Sequence, residues 1–340
     1  MTILSATLSS LFARTGELIW KAVRGVTGAS SNTHYEHAGL VDSIPSTVSA
    51  LVTPAGIIHR VYVGDSGGAV WRVDLPQSHG GNDNHRREQW FITKLADLGF
   101  DAAESGGAAG EDRRFFHAPD IVHSFDDAGD FDGVLIQSGN RADPNETLVE
   151  NYLFYIKDRQ LESGSDLVRT QNDVGNPPGR YHFTDLPDQT TCIVGTEEVT
   201  QDEGNIGCAN RALESGWKVR YVEPGEKGLS TPLTDGGRVF VSTFIPGDAN
   251  VCSSRLGRGQ LHVLQLKDAT AVANTQRQYE LGPGIPFAAV PVADAIFLPG
   301  GGIDLYDLDG DGVRDTTQLL PSQAGKFYRT YWREPDVDPL

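Results

Sequence analysis

The sequence predicts an all-β fold, and two features of its composition and patterning support this prediction. Its 340 residues include 39 glycines and 18 prolines, so turn-forming residues recur between short apolar runs. Those runs are rich in β-branched and aromatic residues, which favour strands. Helix signals are weak, with two short candidates, one near the N-terminus and one from Ala96 to Gly99.

The predicted strands follow one another as hairpins along the chain. RVYVG (60–64) and AVWRVDL (69–75) flank the turn Asp65-Ser66-Gly67-Gly68, and an acidic-glycine turn between two such runs is a hairpin signal. DGVLIQSG (132–139) and LVENYLFYIKD (148–158) form a second pair around a polar turn. The series continues with three more strands: GWKVRYV (216–222), GRVFVSTFIP (237–246) and QLHVLQL (260–266). This spacing is typical of meandering antiparallel sheets.

A loose repeat predicts how these sheets are arranged. A glycine-containing turn precedes an apolar strand in TGELIWKA (15–22), GGAVWRVDL (67–75) and RGQLHVLQL (258–266). Such recurrence favours a modified β-propeller, whose small sheets bury their faces against neighbouring blades. A β-sandwich is the alternative. Four polar stretches are expected to form loops: 77–88, 101–112, 159–180 and 193–210.

Charge and hydropathy argue against several classes of partner. The chain has 46 acidic and 28 basic residues and a formal net charge of −18, whereas nucleic-acid binding needs a basic surface. No apolar stretch approaches the length of a membrane span. No signal peptide is recognised, because the N-terminus lacks a basic region and Glu17 ends its apolar run. If the protein is exported, we expect this chain to be part of a longer precursor.

The three cysteines, Cys192, Cys208 and Cys252, form no CxxC pair, which disfavours a zinc site. Cys192 and Cys208 bracket a polar loop and are compatible with a disulfide in an oxidising compartment. Three unpaired thiols are an equally open interpretation.

The strongest chemical signal is the acidic stretch DLDGDGVRD (307–315). Ca²⁺ takes about 6–8 oxygen ligands, mainly from carboxylates and backbone carbonyls. The stretch predicts five ligands, namely four side chains and the carbonyl of the valine: Asp307, Asp309, Asp311, Val313 and Asp315. Gly312 stands where such a loop turns sharply, but position 12 is Gln318 rather than Glu. We therefore expect a calcium loop on a β-scaffold, with a solvated acidic turn as the alternative.

Three weaker motifs each have a simpler structural interpretation. His34 and His37 in HYEH could bind a transition metal, but surface-loop histidines are usually bystanders. GDSGG (64–68) is similar to the nucleophile segment of chymotrypsin-type proteases, but no His and Asp partners stand out for Ser66, which favours a hairpin turn. DRRFF (112–116) is interpreted as the start of a buried strand with an Asp–Arg pair rather than as a binding patch.

Several segments, taken in order, resemble the C-terminal β-propeller domain of the PilY family of type IV pilus tip-associated adhesins and biogenesis factors. The resemblance covers roughly residues 40–335 and rests on six segments: IPSTVSA (44–50), HRVYVGDSGGAVWRVDL (59–75), DRRFFHAPDIV (112–122), VLIQSGNRADP (134–144), GW…GEKGLSTPLTDGGRVFVSTFIP (216–246) and YWRE (331–334). It divides the chain into an N-terminal segment, 1–40, interpreted as a remnant blade strand, and a propeller domain, 41–335.

The resemblance implies a non-enzymatic protein displayed at a pilus tip or the cell surface after export through the periplasm. It implies roles in pilus assembly, twitching motility and surface adhesion, with minor pilins or other tip components and a host or abiotic surface as partners. It also implies calcium dependence in members that keep an acidic loop.

This chain departs from the family in two places. Where relatives carry a DxDGDG-like run, the segment Val52–Arg60 has no carboxylate, so that site is not carried over. The family's earlier propeller blades precede the point where this chain starts, so an upstream polypeptide, self-association or a capping segment is expected to cover the open sheet edges. Two other function classes stay open: a quinoprotein-type propeller oxidoreductase and a calcium-dependent carbohydrate-binding module.

Overall fold

The computed structural model describes ten stretches of the chain: 7–11, 18–76, 87–99, 109–161, 181–190, 213–247, 256–272, 277–292, 295–297 and 319–321. Within them the backbone forms strands in five sheets, and helical residues are confined to three single 3₁₀ turns: Arg87–Gln89, Ala109–Glu111 and Phe183–Asp185. The all-β prediction is confirmed. In this part of the chain no helix has the length and apolar character to cross a membrane.

The first two sheets come from the N-terminal third of the chain, apart from one short edge strand, β11. The first contains three strands: β1 (Thr7–Leu11), β2 (Leu18–Val23) and β3 (His34–Glu36). The second is an antiparallel meander with a short parallel strand on one edge: β4 (Ser49–Val52), β5 (Ile58–Gly64), β6 (Ala69–Asp74), β7 (Phe91–Asp97) and β11 (Tyr181–His182). The predicted hairpin at 60–75 is therefore confirmed.

The third and fourth sheets are also antiparallel. The third contains β8 (Asp120–Asp126), β9 (Gly129–Gln137), β10 (Tyr152–Asp158) and β12 (Gly216–Arg220). The fourth contains β13 (Lys227–Gly228), β14 (Leu233–Asp235), β15 (Arg238–Ile245), β16 (Arg258–Gln265) and β17 (Gln278–Pro283). A fifth sheet contains β18 (Val290–Val292), β19 (Ala295–Phe297) and β20 (Leu319–Pro321).

Apolar cores lie between successive sheets, because most strands are buried on both faces. In β9, Val134 and Ile136 belong to the core shared with the second sheet, whereas Leu135 belongs to the core shared with the fourth. Trp20 of β2 and Trp71 of β6 meet in the core between the first two sheets. The first four sheets pack on one another in turn, as propeller-like blades do.

The predicted helix at Ala96–Gly99 is wrong. Ala96 lies in β7, paired with Val70 of β6 and Tyr181 of β11, and it is fully buried. A close backbone approach fixes the end of this strand, since a Cβ on Gly68 (φ +86°) would lie 2.2 Å from the Cα of Gly99. The N-terminal helix candidate is also wrong in the described range, where Thr7–Leu11 forms β1.

Candidate functional site

The predicted calcium ligands lie outside the described residues. This applies to all five of them and to the three cysteines: Asp307, Asp309, Asp311, Val313, Asp315, Cys192, Cys208 and Cys252. The calcium loop therefore stays a prediction from the sequence. Across the ten described stretches, no group of three or more His, Cys, Asp or Glu side chains is placed to hold a metal ion.

The β4–β5 turn is the segment where the resemblance to the PilY family implies an acidic loop, and hydrogen bonds within the chain close it. The amide of Thr53 donates to the carbonyl of Ile57 over 2.8 Å, and the amide of Gly56 donates back to Thr53 over 2.9 Å. The Thr53 hydroxyl accepts from the Ile57 amide at 3.2 Å. With Gly56 at φ +79°, backbone and hydroxyl groups complete a turn that offers no carboxylate to a cation.

The GDSGG segment forms the β5–β6 turn, which confirms the hairpin interpretation. Asp65 accepts hydrogen bonds from the amides of Gly67 (2.9 Å) and Ala69 (2.8 Å) and from the indole of Trp71 (2.7 Å). Burial raises the pKa of Asp65 to about 6 against the effect of these donors. The Ser66 hydroxyl bonds to the Ser43 hydroxyl at 2.8 Å, so its contact is another serine rather than a catalytic base.

The histidines of HYEH lie in different environments. The Nδ1 atom of His34 bonds to the Ser31 hydroxyl at 2.8 Å. His37 is buried, packs edge-to-face on Trp71 and accepts the Gly39 amide through Nδ1 at 3.0 Å. Burial, with the nearby charge of Lys94, lowers the pKa of His37 to about 4. Each Nδ1 thus has its own hydrogen bond, His34 with a side-chain hydroxyl and His37 with a backbone amide.

The DRRFF segment fastens the second sheet to the third. Arg113 is buried, donates to the carbonyls of Glu150 and Leu98, and lies over the rings of Tyr152 (4.9 Å) and Phe183 (4.2 Å). The expected Asp112–Arg114 pair is present at 2.6 Å. The expected strand start is wrong, because these residues are irregular and β8 begins only at Asp120. Bonds to loop carbonyls hold the segment in place of a strand ladder.

Sequence reasoning missed a buried ionic network between the second and third sheets. It contains five side chains, each at most 5% exposed: Arg60, Arg72, Asp74, Asp132 and Asp158. Arg72 donates to Asp74 through Nε (2.8 Å) and Nη2 (2.7 Å) and to Asp158 through Nη1 (2.8 Å). Arg60 donates to Asp74 (3.3 Å) and to Asp132. The network therefore ties β5 and β6 to β9 and β10.

Strand register explains how these charges meet. Members pair directly across neighbouring strands: Arg60 with Asp74, Tyr62 with Arg72, and Asp132 with Asp158. Burial opposes the charge on Arg72, but Asp158, Tyr62 and Asp74 outweigh it and raise the pKa of Arg72. The Tyr62 hydroxyl donates to Asp158 at 2.9 Å. The sequence signal was Arg-x-Tyr in β5 and Arg-x-Asp in β6, which are polar residues alternating within otherwise apolar strands.

A second buried network lies where the third and fourth sheets meet, and it contains one carboxylate, Glu226, which is held by a hydroxyl and an imidazole group. Glu226 Oε1 accepts hydrogen bonds from Nε2 of His262 (2.8 Å) and from the Thr243 hydroxyl (2.6 Å). Tyr221, whose ring lies 5.2 Å from that of His262, donates to Gln137 Oε1 at 2.6 Å. Burial opposes ionisation of Glu226, but His262 and the hydrogen bonds outweigh it, and its pKa lies below the ordinary value.

Thr, His and Glu side chains in contact also occur in nucleophilic sites. Here, however, Glu226 and His262 are each only 1% exposed, so a substrate would have no access to them. Their hydrogen bonds join β15, β16 and the segment before β13, and the His262 ring lies against Tyr221, which follows β12 of the third sheet.

Comparison with known proteins identifies the fold. No family model matches the chain, and no curated protein matches it. The chain is similar in structure to the crystal structure of the Pseudomonas aeruginosa PilY1 C-terminal domain, with a TM-score of 0.50 and 15% sequence identity. The match covers 78% of this chain and 53% of that chain, so this chain spans about half of that solved structure. The predicted PilY-like fold is confirmed.

Proposed function

We propose that this chain is a non-enzymatic, calcium-binding β-propeller of a type IV pilus tip or biogenesis protein, acting in pilus assembly, twitching motility and surface adhesion. The observation that carries the proposal is the structural likeness to the PilY1 C-terminal domain. The ordered sequence segments that resemble the PilY family support it independently, since short motifs and backbone shape are different kinds of evidence.

The calcium part of the proposal rests on the DLDGDGVRD stretch. Its four carboxylates repel one another unless a cation neutralises them, and their spacing suits Ca²⁺. A bound ion would order the loop and make its conformation depend on calcium. The β4–β5 turn has no carboxylate for an ion. Of the two positions, calcium dependence would therefore arise from the DLDGDGVRD stretch and not from the turn.

The proposal also includes a location and a set of partners. The protein would be exported through the periplasm to the pilus tip or cell surface and contact minor pilins, other tip components, and a host or abiotic surface.

Pilus fractionation tests this function. In cells that make the protein, we expect it in the sheared pilus fraction, and we expect loss of the gene to reduce surface pili and twitching, both restored by the intact gene. Absence from that fraction, with piliation and twitching unchanged in the deletion strain, would refute the pilus role. Quinone-type absorbance of the purified protein would instead favour the oxidoreductase alternative.

A further inference from the structure

A surface cleft of about 450 Å³ lies between the third and fourth sheets. Its lining comes from four separate places: His117 before β8, Arg141 after β9, Leu229–Thr231 after β13, and Ile285–Ala288 between β17 and β18. The volume lies in the range of specific ligand sites. Three of the four contributors belong to segments that carry the family resemblance, namely DRRFFHAPDIV, VLIQSGNRADP and GEKGLST, so the fold gathers them at one surface.

Buried contacts hold two of the cleft walls in place. Lys227 is fully buried, and its ammonium group donates to the carbonyls of Asp143 (3.3 Å) and Glu146 (2.5 Å) in the loop that carries Arg141. On the neighbouring wall, the Ser230 carbonyl accepts from Gln137 Nε2 (2.6 Å) and the Ser230 hydroxyl donates to the Ser242 carbonyl (3.0 Å). A site with such supports is largely formed before a ligand arrives.

The cleft combines exposed apolar surface with a single charge. Phe287 and Ile285 are 81% and 52% exposed, and Leu229 is buried opposite them in the lining. Arg141 is the one charged side chain among the lining residues, and it has no ion pair within the described part of the chain. Burial and the charge of Arg141 lower the pKa of His117 to about 4, so this imidazole is neutral at neutral pH.

The apolar wall also has an irregular backbone. Residues 285–289 run between β17 and β18 outside any strand, and no backbone hydrogen bond of theirs is found among the described residues. An extended peptide can pair with such a segment while its side chains occupy neighbouring pockets. A small organic acid would leave the backbone groups of this segment to water, so the wall favours a polypeptide as occupant.

We propose that this cleft binds an extended apolar segment of another polypeptide that presents a carboxylate to Arg141. The carboxylate comes either from an Asp or Glu side chain or from a free C-terminus, because both offer the same two oxygens to a guanidinium group. The apolar side chains lie against Leu229, Ile285 and Phe287. Calcium plays no part in this recognition.

Fluorescence anisotropy with three labelled peptides tests the site. The probes carry an uncharged BODIPY label on the N-terminus and are Leu-Ala-Leu-Phe with a free C-terminus, the same peptide as its C-terminal amide, and Leu-Asp-Leu-Phe amide. We expect at least one carboxylate peptide to bind about fivefold more tightly than the neutral amide, the effect of an exposed ion pair worth about 1 kcal/mol. The tighter of the two distinguishes a terminal from an internal carboxylate.

Two surface variants locate the binding. Arg141→Gln should reduce the affinity of the carboxylate peptides to that of the amide, and Phe287→Ser should weaken the binding of all three peptides. Both side chains are exposed, so folding should be unaffected. The matched controls, Arg220→Gln and Phe125→Ser, change an exposed arginine and an exposed phenylalanine elsewhere and should leave affinity unchanged. Equal binding of acid and amide, no binding up to millimolar protein, or binding that survives both cleft variants would each overturn the proposal.

Discussion

The two faces of the third sheet are joined to their neighbours by different chemistry. Towards the second sheet, an apolar core ends in two guanidinium and three carboxylate groups with side chains at most 5% exposed. Towards the fourth sheet, an equally apolar core ends in hydroxyl, amide and His–Glu hydrogen bonds. Strand β9 serves both junctions, with Asp132 near its start and Gln137 at its end.

This difference predicts how much stability each junction loses when one of its side chains is replaced. A buried ion pair adds little net stability relative to an apolar replacement, but removing one partner leaves an uncompensated buried charge. A neutral hydrogen bond costs less to lose, because only the desolvation of one polar group is left unbalanced. The junction with five charged side chains should therefore behave as a unit, whereas the Glu226 junction, where neutral groups make most of the hydrogen bonds, should tolerate piecewise change.

The largest effect is expected from Arg72→Met. This substitution leaves Asp74 and Asp158 facing each other without their shared cation, so the free energy of unfolding should fall by about 3–5 kcal/mol. Urea denaturation measures this loss. The matched control is Arg258→Met, because the Arg258 side chain is 46% exposed, and its free energy of unfolding should stay within about 1 kcal/mol of wild type. A loss for Arg72→Met no larger than that of the control would contradict the charged junction.

A smaller loss of stability is expected from Glu226→Gln in the Glu226 junction. The amide keeps the shape of the carboxylate but loses its charge-assisted bond to His262, so unfolding should become easier by about 1–3 kcal/mol. The same denaturation experiment compares it with Arg72→Met directly. If the two losses were equal, the contrast between the junctions would not hold.

Acid should lower the stability of the Glu226 junction by a smaller amount still, through protonation of Glu226. Since its pKa is lower in the folded state than the ordinary 4.5, its contribution is present above that pH and is lost as pH falls through the folded pKa. The stability difference between wild type and Glu226→Gln should therefore shrink between pH 6 and pH 3. Denaturation midpoints over this range measure it, and a difference that stays constant would show that Glu226 is not ionised in the folded protein.

Local patterns allowed the strands and their hairpins to be predicted, since turn residues such as Asp65 and Gly68 and the alternation of β-branched residues act over a few positions. The junctions could not be predicted, because Arg72 and Asp158 meet only after two sheets pack together. The helix predicted at Ala96–Gly99 failed for the same reason: pairing with β6 and β11 outweighs local preference. The cleft, too, combines residues from four distant segments.

The β4–β5 turn and the DLDGDGVRD stretch offer a last contrast. The turn closes through Thr53 and Gly56 without any carboxylate, whereas the stretch concentrates four aspartates in nine residues and is expected to need a cation. The proposed calcium dependence of this chain therefore rests on the later segment.

Calcium titration calorimetry of the intact chain tests this most directly, beside an Asp311→Ala/Asp315→Ala double variant. A matched control, Asp127→Ala/Asp130→Ala, removes the same charge from two exposed positions in the β8–β9 hairpin. We expect saturable binding to the intact chain and to the control, with a Kd between about 10⁻⁷ and 10⁻³ M, and its loss in the double variant. No binding by the folded chain, or equal binding by the double variant, would contradict the account.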